Sequence, residues 1–123
     1  MGVDRKAQGR TVVRVWFPHL DVCGRNCRVT AHPKLKVYGD NDSDTGLIRV
    51  RIAEASVMED TLLHEVTHRA WDACGLSYHI RSKYGLTEKQ AEDLEEDVIR
   101  FQTPALLATF KRAGWLTIPP YKE

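Results

Sequence analysis

Leu47-Ile48-Arg49-Val50-Arg51-Ile52, and shortly after it Ser56-Val57-Met58-Glu59-Asp60-Thr61-Leu62-Leu63-His64-Glu65-Val66-Thr67-His68, mark where the hydrophobic period of the chain changes. In the first stretch Ile48, Val50 and Ile52 alternate with polar neighbours, the period of two of a half-buried strand, one that can sit at a sheet edge. In the second the period lengthens to that of a helix. Ser56 and Glu59 have the spacing of a capping box, so the helix is expected over Val57–Cys74, with Gly75 as its stop. Leu62, Leu63, Val66, Ala70, Ala73 and Cys74 supply its inward stripe.

Upstream, Thr11–Phe17 is rich in β-branched and aromatic residues and predicts a strand that Pro18 closes. Val22–Val29 predicts two strand ends around a Gly24-Arg25-Asn26 turn, and Leu35–Tyr38 a short strand before the turn-rich Gly39–Gly46. Downstream, a loop holding Tyr78, His79 and Tyr84 leads to Thr87, which with Gln90 opens a helix reaching about Gln102. Thr103-Pro104 reads as a cap and first residue of a third helix, Pro104–Ala113, ending at Gly114. Strands first and helices after predict an α+β domain: an N-terminal antiparallel sheet packed on the helix that holds His64, followed by two further helices. The first ten residues are polar and read as a flexible N-terminus, leaving residues 11–123 as a single domain.

Composition narrows the function classes. With 123 residues there is no room for two independent cores. Hydrophobic residues at 42% and charged residues at 28% exclude a disordered chain. No apolar run reaches the roughly 18 residues of a membrane span, and Met1–Lys6 begins no secretion signal, so a cytoplasmic location is expected and no membrane partner. A net charge of +1 argues against a protein held on nucleic acid by phosphate contacts. Cys23, Cys27 and Cys74 make an odd, low count that suits a reducing compartment.

The chemistry lies in His64-Glu65-Val66-Thr67-His68. Histidines at i and i+4 stand one above the other on a helix, so their ring nitrogens can converge on one ion. Zinc accepts such nitrogens and, in a catalytic site, keeps one position open for water. Glu65 lies about 100° round the helix, placed to take that water's proton without occupying the metal. Zn²⁺ is therefore the expected cofactor, with His64 and His68 as ligands and Glu65 as general base.

Two histidines do not complete such a site. Glu92, Glu95 and Glu96 on the next helix are candidates for a third ligand, as are Asp72 and His79. With Ala91, Leu94, Val98 and Phe101 taken as that helix's core stripe, Glu95 and Glu92 look along its margin, Glu95 slightly better, and Glu96 points further out. Asp72, four residues past His68, can also hold the other nitrogen of that ring. His19, Cys23, Cys27 and His32 form a second cluster of zinc-type ligands, though the spacing of the cysteines is not that of a zinc knuckle and a hairpin explains the segment without metal.

The His64–His68 motif, the acidic helix after it and the closing Leu106–Gly114 segment resemble the small phage-encoded gluzincin-like metallopeptidases, distantly similar to the ImmA/IrrE-type zinc peptidases. The resemblance spans roughly Leu47–Trp115. It implies a zincin-like fold, and a metallopeptidase cleaving peptide bonds in the host cytoplasm. On Ala91-Glu92-Asp93-Leu94 it implies Glu92 as third ligand; the chain departs from that family in having Glu95 where a small residue is usual. It further implies that Leu47–Ile52 borders the cleft and pairs with an extended peptide or protein substrate. The competing expectation is a catalytically silent zinc-containing module that grips a protein partner.

Overall fold

The computed structural model describes residues 14–123. Four strands, β1 (Arg14–Val22), β2 (Arg25–His32), β3 (Gly39–Asp42) and β4 (Leu47–Arg51), precede three helices, α1 (Ala55–Ala73), α2 (Leu76–Tyr84) and α3 (Glu88–Arg112). The α+β class is as expected. The expected N-terminal segment, and the first residues of the strand beginning at Thr11, lie outside the described residues. No helix among the described residues is long and apolar enough to cross a membrane.

The sheet has the order β1-β2-β4-β3 and is mixed rather than antiparallel throughout. β1 and β2 form a hairpin on Cys23-Gly24, both at positive φ (53° and 83°), as a tight primed turn requires. β1 runs on past Pro18, which sits in a bulged stretch of an edge strand where no neighbour asks for its missing N–H. The chain then crosses to the far edge, makes β3, and returns through Ser43–Gly46, inserting β4 between its antiparallel partner β3 and its parallel partner β2. The expected strand at Leu35–Tyr38 is irregular; the neighbouring Gly39-Asp40-Asn41-Asp42, which by composition is a turn, is the strand. Pairing to β4 decides this against weak local propensity.

The core lies between one sheet face and α1. Cys27, Val29, Ala31, Ile48 and Val50 are fully buried and meet Met58 and Leu62 of α1. Each large aliphatic side chain so buried contributes roughly 1.5–3 kcal/mol. The tail folds back over this core, with Ile118 and Tyr121 packed on it and Trp16 Nε1 donating to the Pro119 carbonyl at 2.9 Å.

The helices depart from expectation at three points. Glu54 precedes α1 without capping it through its side chain, and Ser56 lies inside the helix, so the expected capping box does not form. The segment with Tyr78 and His79 is helix α2, bounded by Gly75 and Gly85 in the left-handed region. The two expected later helices are one. Thr87 and Gln90 form the predicted capping box, but α3 continues through Pro104. Thr103 is buried and its hydroxyl donates to the Ile99 carbonyl within the same helix at 2.7 Å, rather than capping a new one. Pro104 is on the exposed side of the helix.

Candidate metal centre

α1 is pinned to the sheet through Met58 and Leu62; Glu65 continues that buried stripe, and His64 and His68 stand beside it on the flank toward α3, so their positions follow from the core. α3 crosses beside it and turns Ile99, Thr103 and Leu107 inward. Glu96 stands one turn before Ile99 on that same inward side, and this brings it to the histidines. His64 Nε2 and His68 Nε2 are 3.2 Å apart; Glu96 Oε1 is 3.2 Å from the first and Glu96 Oε2 2.9 Å from the second. His64, His68 and Glu96 are the group of possible ligands among the described residues whose donor atoms lie within 4.8 Å of one another.

The donor set fits zinc. Ligand atoms about 2.0–2.1 Å from a tetrahedral Zn²⁺ lie about 3.3 Å from each other, close to the separation of the two Nε2 atoms, and the Glu96 carboxylate presents one oxygen to each ring. Two imidazole nitrogens and one carboxylate also make the ligand class that leaves a fourth position open in hydrolytic sites.

Glu92 is not part of the group. It is exposed one turn before Glu96 and lines the same cleft, so the group that comes together has Glu96 where the expected third ligand is Glu92. The rotation of α3 is the reason. Of the stripe taken for its core, Ala91 and Val98 are half-buried, while Leu94 is 40% exposed and Phe101 76%. Glu95 is close, but to the other nitrogen: His68 Nδ1 donates to Glu95 Oε2 at 2.6 Å, and the Ser77 hydroxyl of α2 donates to Glu95 Oε1. Asp72 therefore does not hold that ring; it lies 3.9 Å from Arg25. His79 is exposed and apart from the group. Cys23 is exposed on the β1–β2 turn and Cys27 is buried in the core, so the second cluster of zinc-type ligands is not assembled.

Glu65 is 8% exposed and accepts from Asn41 Nδ2 of β3 at 2.7 Å. Burial pushes its carboxyl above the ordinary value; the Asn41 hydrogen bond and the facing His64 and His68 oppose that shift, and Glu96 adds to it. A carboxylate so placed is a stronger proton acceptor than one in water.

These residues line a cleft of about 1330 Å³ that runs along α1 and α3 and is walled by Tyr38–Asn41 at the sheet edge. β4, expected to offer that edge, is paired on both sides and has no free backbone. The edge belongs to β3. Arg51 N donates to the Tyr38 carbonyl, so by antiparallel alternation Tyr38, Asp40 and Asp42 point their backbone groups at β4, and Gly39 and Asn41 point theirs outward. Asn41, Ser77 and the reach of Glu96 were missed at the level of sequence. Only the last had a signal there, its spacing of three and seven residues from Ile99 and Thr103.

Comparison with protein families, with curated proteins and with solved structures gives no match to this chain.

Proposed function

We propose that this protein is a zinc-dependent hydrolase of peptide bonds, with a zincin-like arrangement of sheet edge, histidine-bearing helix and acidic helix. The convergence of His64, His68 and Glu96 beside the buried carboxylate of Glu65 supports this reading. The two imidazoles and Glu96 would hold the ion. When bound, Zn²⁺ supplies a Lewis acid that polarises a carbonyl and makes hydroxide available near neutral pH.

The chain's own residues account for the rest. Glu65, held by Asn41, takes the proton of the attacking water and returns it to the leaving amine. The outward N–H and C=O groups of Gly39 and Asn41 can add an extended peptide to the sheet, which lays a scissile bond along the cleft at the level of Glu65. That replaces β4 with β3 as the pairing edge.

Glu65→Gln tests the assignment. Zinc content, measured by elemental analysis on protein purified without added metal, should stay at one per chain in both proteins. Cleavage of a proteome-derived peptide pool, read by mass spectrometry, should fall at least 100-fold in the variant, the scale of losing a general base. Retained cleavage by the variant removes Glu65 from the reaction, and a zinc-loaded wild type that cleaves nothing in the pool sinks the hydrolase reading.

A further inference from the structure

His68 is the one imidazole of the centre with both nitrogens engaged. Nε2 faces Glu96 Oε2 and His64 Nε2, and Nδ1 lies 2.6 Å from Glu95 Oε2. Consecutive residues of α3 thus grip opposite ends of one ring, because the roughly 100° between neighbours on a helix opens a notch as wide as an imidazole. Glu95 is itself fixed. Its side chain is 19% exposed, Oε2 is on His68, and Oε1 accepts from Ser77 of α2. Among the described residues His64 Nδ1 has no such partner. Glu95 cannot turn to the ion without giving up both of its hydrogen bonds.

We propose that Glu95 is a positioning residue for the metal centre: it keeps the proton of His68 on Nδ1, leaving the Nε2 lone pair free for the ion, and Ser77 aligns Glu95 for that role. α2 is thereby tied to a site to which it gives no ligand. The two histidines are unequal, His68 being held at both nitrogens and His64 at Nε2 alone. This rests on the metal reading above and adds to it a chain of contacts running Ser77, Glu95, His68.

The test is metal affinity, which needs no substrate. Zn²⁺ affinity would be measured by competition with a chromophoric chelator for wild type, Glu95→Ala, Glu95→Gln, Ser77→Ala and Glu92→Ala, with thermal unfolding of each metal-free protein as the check on folding. Glu95→Ala should bind 10–100-fold more weakly. Glu95→Gln, which keeps an acceptor for the Nδ1 proton, should recover most of that loss. Ser77→Ala should weaken binding severalfold without altering a ligand contact, and it stands in if Glu95→Ala does not fold. With Co²⁺ as probe, Glu95→Ala should lose visible absorption intensity, as the tetrahedral set loosens when His68 turns.

Glu92→Ala removes the same charge one turn away and should change nothing. Equal losses in Glu92→Ala and Glu95→Ala would reduce the effect to general charge and overturn the proposal, as would unchanged affinity in both Glu95→Ala and Ser77→Ala. A wild type that binds no zinc overturns the metal reading itself, an outcome distinct from either.

Discussion

The two sides of α1 differ in chemistry. Toward the sheet, Met58 and Leu62 meet Val29, Ala31, Ile48 and Val50 in an apolar contact, which further along the same stripe gives way to the buried Glu65 and Arg69. Toward α3, His64 and His68 meet Glu95 and Glu96, joined by hydrogen bonds and open to a cleft. Burial of the apolar part of the first side gives stability, and the same side seats Glu65. The second side brings carboxylates close together, which is costly for a fold unless a cation or a shared proton offsets their repulsion. A helix pinned on one face by apolar packing can hold a polar, unfavourable cluster on the other, and catalytic centres need that division.

The sharpest way to break the comparison is to damage the apolar contact alone. Ile48→Ala should cost about 2–5 kcal/mol by denaturant unfolding, the range for removing a fully buried aliphatic side chain. Under conditions where the variant is still folded, its zinc affinity should match wild type within a few fold. A loss of affinity in step with the loss of stability would show that the two sides are one cooperative unit.

On the polar side the discriminating pair is Glu96→Ala and Glu92→Ala. Both remove a cleft carboxylate from α3, but only Glu96 reaches the imidazoles. Glu96→Ala should weaken zinc binding by at least about 100-fold, beyond the 10–100-fold typical of an outer partner, and Glu92→Ala should leave it unchanged. Chelator competition reads both. The reverse result would mean that α3 turns by about 40° and slides by about one helical turn when the ion binds.

That pair also shows where the sequence is readable. His64, Glu65 and His68 share one helix, and backbone periodicity alone fixes their relation. The choice among Glu92, Glu95 and Glu96 depends instead on the rotation of α3 against α1. An apolar stripe would ordinarily report that rotation, but α3 carries its exposed Leu94 and Phe101 on one side and buries Ile99, Thr103 and Leu107 on another. Pro104 hid the second line by suggesting a helix start in its middle. β3 was hidden for a related reason. Gly-Asp-Asn-Asp has the composition of a turn, and only the β4 ladder makes it a strand.

Gly39 is where the two sides of α1 join, and it gives the finest test of their independence. A Cβ built there would lie 2.6 Å from Thr61 Cγ2 and 3.0 Å from the Arg49 carbonyl oxygen. Neither neighbour yields easily: Thr61 is β-branched and stiff within a helix, and the Arg49 carbonyl is sheet backbone. Gly39→Ala must therefore push β3 off α1, drawing Asn41 away from Glu65 while the ligand residues on α1 and α3 stay in place. The expected result is a loss of about 1–3 kcal/mol in stability, full zinc stoichiometry and reduced peptide cleavage. Adding Thr61→Ser removes the opposing methyl, leaves the milder contact with the Arg49 carbonyl, and should restore part of both stability and cleavage, a coupling that independent sites would not show. If Gly39→Ala alone matches wild type in both measurements, the close approach of the edge strand to the helix is not what holds Glu65 in position.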